Sequence, residues 1–241
     1  MKKIINKKLC YIISFVLFIT LSYIVVGLLQ FKKSVIKTNA TPSTQKVIVL
    51  DAGHGKPDEG AVGLYGTTEE AINLQITLKL QKLLEQSGAK VLLTRSDENG
   101  IYSTDSNKIK DKKISDIKNR VEIGNTDGVD IFISIHLNKF SDSVYSGWQT
   151  FYQKNNEESK KLATFIQEGI NNEISETKND RKVLPLTDIY RMDHVKVPTV
   201  TVECGFLSNE KEVNLLRNDE YKNRLAWGIY MGIQDYFSKN I

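Results

Sequence analysis

From residue 46 onward, two kinds of apolar pattern alternate along the chain. Short runs rich in Val, Ile and aromatic residues occur at 46–51 (KVIVLD), 89–94 (AKVLLT), 130–136 (DIFISIH), 147–153 (GWQTFYQ) and 197–203 (VPTVTVE), and these predict strands. Longer segments between and after them predict helices at about 68–87, 114–125, 156–175, 209–216 and 219–238. Strands alternating with helices of this length specify an α/β fold: a single domain with a twisted, largely parallel central sheet flanked by helices. Residues 97–113 (DENGIYSTDSNKIKDKK) are polar and predict a mobile loop.

A different pattern precedes the domain. From Leu9 to Leu29 the chain reads LCYIISFVLFITLSYIVVGLL, without a charge over about the length needed to cross a bilayer core. This predicts a basic N-terminus at 1–8, a transmembrane signal anchor at 9–31, a polar tether at 32–45 and a catalytic domain at 46–241. Lys2, Lys3, Lys7 and Lys8 precede the apolar run and Lys32, Lys33 and Lys37 follow it, a balance that mildly favours a cytoplasmic N-terminus and an extracytoplasmic domain. A cleaved signal peptide is the alternative. Against it, the apolar run exceeds the usual signal core, and the small-residue site at Thr38-Asn39-Ala40 lies beyond a Lys-Lys pair. Both readings export the domain.

Charge alters the picture only once it is divided. The 241 residues carry a net +4, but the first 40 hold seven lysines and no acid, leaving 26 basic and 29 acidic groups in the remainder. A slightly acidic domain argues against nucleic-acid binding. Cys10 lies in the apolar run and Cys204 in the domain, so they form no disulfide and the exported domain relies on its core alone.

Three apolar strands end in residues that are costly to bury without a partner: the first runs out at His54 in VLDAGHGK, the third ends in His136, and the last in Glu203. Ligand sites in open α/β sheets collect at the carboxyl ends of strands. Two histidines plus a carboxylate form the ligand set of a catalytic zinc site with a position left for water. Asp51, Asp58, Glu59, Glu69 and Glu70 compete for the carboxylate near His54. On a helical wheel Ile72, Ile76, Leu80 and Leu83 lie within about 60° of Glu69, which therefore heads the buried stripe. Glu70 points away and, in Thr67-Thr68-Glu69-Glu70, reads as a capping box closed on the Thr67 amide. Asp58 and Glu59 read as loop-shaping residues, and His194 as a solvated loop histidine. Cys204 turns to the face opposite Glu203 and reads as a packed thiol.

Four ordered motifs, VIVLDAGHG, GTTEEAINLQI, SIHLN and VPTVTVECGFLSNEKE, resemble those of the zinc-dependent N-acetylmuramoyl-L-alanine amidases of bacterial cell walls, the amidase-3 group, over residues 46–238. The resemblance implies one zinc ion held by His54, Glu69 and His136, with Glu203 as the catalytic carboxylate. It implies hydrolysis of the amide between N-acetylmuramic acid and L-alanine in peptidoglycan. The arrangement of one domain behind an N-terminal apolar segment is similar to members that make spore-cortex muramic-δ-lactam, active in sporulation and germination. Leu137 stands where such enzymes commonly have alanine, and no wall-binding repeat accompanies the domain. Another zinc-dependent wall amide hydrolase or deacetylase, and a non-catalytic peptidoglycan-binding module, are the alternatives. A regulatory protein partner is left open, since no motif identifies one.

Overall fold

The computed structural model describes residues 7–37 and 40–239. Residues up to Ala40 and from Thr41 onward form two separate units. The first contains a helix, α1 (Lys7–Lys37), whose side chains from 11 to 27 are exposed. Among the described residues no helix is long and apolar enough to cross a membrane. The expected tether differs at both ends. Residues 32–37 are helical, residues 38–39 lie outside the described residues, and residues 41–45 are part of the domain. Ser43 explains the last point: it is fully buried, its amide donates to Gln234 Oε1 at 3.1 Å, and its hydroxyl lies 2.8 Å from that of Ser87.

The domain is built on six strands, β1 (Val47–Ala52), β2 (Lys90–Leu93), β3 (Ile131–Asn138), β4 (Gln149–Gln153), β5 (Leu184–Leu186) and β6 (Thr199–Phe206). They form one sheet in the order β2-β1-β3-β6-β4-β5. The sheet is mixed. β1 pairs in parallel with β2 and β3, β3 with β6, and β4 with β5, but β4 runs antiparallel to β6. Among the described residues the domain's α-helices are α2 (Glu69–Gln86), α3 (Ile109–Gly124), α4 (Glu157–Glu173), α5 (Tyr190–His194), α6 (Glu210–Arg217) and α7 (Asp219–Lys239). Helix α3 begins inside the polar stretch read as a loop, and α5 and β5 had no recognisable sequence pattern.

Alternation along the strands sorts the core. Ile48, Leu50, Ile133, Ile135, Val200 and Val202 face α2, α4 and α7, while Val49 and Phe132 meet Val121 and Val195 on the opposite face. Cys204 belongs to the first cluster, as alternation from Glu203 requires, and burial with the nearby Glu203 charge pushes its thiol pKa above the ordinary value. Helices α4 and α7 touch backbone to backbone: a Cβ on Gly169 would lie 2.3 Å from the Gly228 oxygen, and one on Gly232 would lie 2.5 Å from Ile166 Cα. That close seam covers the sheet and leaves its carboxyl edge to the loops after β1, β3 and β6.

Candidate metal centre

The loop after β1 is shaped to present one imidazole. His54 adopts a positive φ of 60°. Two arginines hold its backbone there through the carbonyls. Arg95 Nε donates to Ala52 O at 2.8 Å, and its Nη2 donates to Gly53 O at 3.0 Å and to Glu70 O at 2.8 Å. Arg120 donates to the Ala52 and His54 carbonyls while ion-paired with Asp51 and Asp116. Gly53 is required by close approach, since a Cβ there would lie 2.3 Å from the His136 ring. Gly60 faces the same limit from the other side: its Cβ would come within 2.6 Å of Glu69 Oε2 and 2.8 Å of the His54 ring.

Glu69, at the first position of α2, is buried, and both carboxylate oxygens are used. Oε2 accepts from the Ala61 amide at 2.9 Å and Oε1 from the Leu137 amide at 3.1 Å. Oε1 also lies 2.9 Å from His136 Nδ1 and 3.3 Å from His54 Nε2. Asn73 bridges Gly53 O at 3.2 Å and Glu69 Oε1 at 3.5 Å, linking the loop to the helix. The two imidazole rings meet edge-on with centroids 5.0 Å apart. One donor atom from each of His54, Glu69 and His136 falls within 4.8 Å of the others, the only such grouping of metal-ligating residues among the described residues.

The donor chemistry fits a cation. His54 Nδ1 lies 3.0 Å from Asp58 Oδ2, so the proton belongs on Nδ1 and the Nε2 lone pair points to the centre. Asp58 is itself held by Lys113 Nζ at 2.7 Å and by the Gly60 amide at 3.2 Å. Burial lowers the His54 pKa, but the bonds to Asp58 and Glu69 outweigh it and raise it to about 9 in the metal-free protein. Burial, reinforced by the charge of Arg191, lowers His136 to about 4, which keeps it neutral. Glu69 stays ionised: burial opposes its charge, but both histidines hold its pKa well below the carboxylate range.

Glu203 stands in β6 in register with His136 on β3 and Gln149 on β4. Its Oε2 is buried without a hydrogen-bond partner. Burial, with the like charge of Glu69, raises its pKa to about 8. The sequence placed His136 and Glu203 at strand ends; both lie inside strands that continue to Asn138 and Phe206.

These four residues thus sit toward the carboxyl edge of the sheet. The N-acetylmuramoyl-L-alanine amidase pattern, Amidase_3, matches residues 48–235. The chain belongs to this family. Over 198 residues it is 34% identical to the germination-specific N-acetylmuramoyl-L-alanine amidase of Bacillus subtilis (strain 168), covering 82% of each chain. Among solved structures it is similar to the CwlD amidase of Clostridioides difficile in complex with the GerS lipoprotein, with 47% identity and a TM-score of 0.78 over 81% of this chain and 100% of that one. The catalytic domain of CwlV from Bacillus(Paenibacillus) polymyxa var. colistinus gives 31% identity and a TM-score of 0.68 over 80% of this chain and 99% of that one. As an N-acetylmuramoyl-L-alanine amidase, the protein hydrolyses the bond between N-acetylmuramic acid and L-alanine.

Other sequence readings fare differently in this amidase. The capping box of Thr67 and Glu70 does not form. Thr68 is the N-cap and makes no side-chain cap bond, and the Thr67 amide already donates to Leu64 O at 3.1 Å. Glu70 is instead buried, with Thr68 Oγ1 3.3 Å from its Oε1. Asp58 shapes its loop as expected and also orients His54. Glu59 contributes its carbonyl, which accepts from the Glu70 amide at 3.2 Å. Asp51 anchors a buried network with Arg120, Ser134 and Thr94. His194 lies in α5, outside the cluster, stacked on Tyr190 at 3.9 Å. Arg95, Arg120 and Arg191 were missed, because an isolated arginine carries no spacing signal.

Proposed function

We propose that the amidase holds one zinc ion between His54, Glu69 and His136 and uses Glu203 as its general base and acid. The convergence of three donor atoms beside a buried, unpartnered carboxylate carries this reading. A zinc ion bound there would supply Lewis acidity and lower the pKa of the attacking water. Glu203 Oε2 accepts the proton from that water as its oxygen adds to the lactyl carbonyl carbon. As the C–N bond breaks, the same carboxyl returns the proton to the L-alanine nitrogen, which leaves as an amine. Asp58 keeps His54 in the tautomer that serves the centre, and Arg95 and Arg120 hold the loop that carries it. Glu203 is held toward its protonated form by burial and by the Glu69 charge, and a zinc charge held at the three ligands would oppose that bias.

The relatives support a place in spore biology. One is germination-specific, and another was solved with a lipoprotein bound. We infer a role in spore-cortex muramic-δ-lactam formation and a lipoprotein-type regulatory partner. The uncharged run from Leu9 to Leu29 and the exposed apolar side chains of α1, such as Tyr11, Phe15 and Phe18, support membrane anchoring with the catalytic domain on the extracytoplasmic side. Metal analysis of the full chain together with digestion of peptidoglycan tests the catalytic reading. One zinc per chain and release of peptides beginning with L-alanine are expected; acetate release, or metal-independent activity, would refute it.

A further inference from the structure

Arg191 has none of the roles assigned above. It lies in α5 and lines a crevice shared with Asp51, Gly53, His54, Arg120 and His136. Its Nε is buried without a hydrogen-bond partner, and no hydrogen bond or ion pair reaches its guanidinium among the described residues. Arg95 and Arg120 show the contrast, since each spends its donors on carbonyls or carboxylates of the fold. Arg191 is only partly buried as a residue, but its Nε donor is withdrawn from solvent, and a buried donor left unmet costs about 1–3 kcal/mol unless an acceptor arrives.

Among the described residues no protein group serves as that acceptor. The carboxylates whose charge Arg191 feels include Asp51, Glu203 and Glu69. Asp51 is committed to Arg120, Ser134 and Thr94, and Glu69 to two amides and the two histidines. Glu203 Oε2 is also buried and unpartnered, yet it makes no bond with Arg191. An acid and a base kept for stability would have closed on each other. His136 is common to both: Glu203 stands in register with it, and Arg191 lines the crevice with it and His54.

We propose that Arg191 is a catalytic residue whose guanidinium donates to the carbonyl oxygen of the scissile amide as that oxygen gains negative charge. This role rests on the amidase reading above. A planar guanidinium suits it better than an ammonium, because two of its donors can reach one oxygen and its neighbour on the lactyl group.

The test compares full-length wild type, Arg191→Lys and Arg191→Met, each loaded with zinc, on a soluble muramoyl-peptide. Arg191→Met is expected to lower kcat by about 10²–10³, the usual worth of one such donor, with KM little changed. Arg191→Lys should recover part of the loss. Zinc stoichiometry should be unchanged, and the Tm of Arg191→Met should hold or rise, since an unmet buried donor has gone. A raised KM with kcat retained would assign Arg191 to a substrate carboxylate and overturn the proposal. So would a lowered Tm with activity falling only as far as folded protein does. Wild type that releases no peptide beginning with L-alanine overturns the amidase reading and this one with it; an active wild type with unaltered variants overturns this one alone.

Discussion

Asp58 Oδ2 lies 3.0 Å from His54 Nδ1, and this contact decides which imidazole nitrogen faces Glu69. Carboxylates placed this way behind a metal-binding histidine fix both ring angle and tautomer. Asp58→Asn keeps the size of the side chain but removes the charge that holds the proton. Zinc affinity, measured by competition with a chelator, is expected to fall by about 10- to 100-fold with little change in Tm. Unaltered affinity would reject an orienting role.

The cluster predicts a sharp contrast between two adjacent glutamates. His54→Ala, Glu69→Ala and His136→Ala each remove a donor from a three-ligand set and should abolish stoichiometric zinc binding. Glu70→Ala should keep zinc and lose only stability, because Glu70 is buried beside Thr68 rather than at the centre. Zinc retained by Glu69→Ala but lost by Glu70→Ala would reverse the assignment.

Glu203→Gln isolates proton transfer from metal binding. The amide preserves shape but cannot accept a proton, so zinc content and Tm should stay near wild type while turnover falls by about 10²–10⁴. Peptide release measured on the same preparation decides this. Near-normal turnover would remove Glu203 from the chemistry.

Arg120 makes a different kind of contribution. It is 3% exposed, paired with Asp51, which is fully buried, and bonded to the carbonyls of the His54 loop. Arg120→Met would strand the Asp51 charge, and loss of one partner of a buried pair costs about 3–5 kcal/mol. Urea unfolding should register a loss of that size. A change under about 1 kcal/mol, the worth of an exposed pair, would show that the Asp51 network is satisfied without Arg120.

The metal-free protein should lose stability from pH 6.5 to 9. The folded pKa of His54 is about 9 against an ordinary 6.5, so its contribution is full below 6.5 and disappears as pH climbs to 9. Glu203, raised to about 8 from 4.5, adds a loss that is complete by pH 8. His136, lowered to about 4, acts in the opposite direction but only below 6.5. Calorimetric Tm values should therefore decline across this window, and His54→Gln should flatten the part above pH 8. Zinc affinity should rise over the same range as protons cease to compete. A metal-free Tm that rises with pH would contradict these assignments.

How much of this was legible in the chain depends on whether the signal was periodic. The wheel put Glu69 at the head of a stripe with Ile72, Ile76 and Leu80, and all three are buried, but Glu70, which it turned away, is as buried as Glu69. Strand patterning put His136 and Glu203 on strands, though both strands run further than the apolar runs showed. The reversal of β4 was not legible, because an apolar run carries no direction. Nor were the arginines: Arg95 bonds Ala52 at a separation of 43 residues and Arg120 bonds His54 at 66, contacts that exist only once the sheet has formed. The capping box failed for a local reason, since the turn at Leu64 had already taken the Thr67 amide.

The strand order has a consequence for how the enzyme comes into being. β6, near the end of the chain, is inserted between β3 and β4, and it brings Glu203 alongside His136. A growing chain acquires His54, Glu69 and His136 well before it acquires Glu203, the proposed base. Long-range parallel pairing of this kind is intrinsically slow. In the proposed mechanism, hydrolytic competence is therefore tied to the arrival of the final strand: a nascent or truncated chain lacking β6 would hold the three proposed zinc ligands without the proposed proton acceptor.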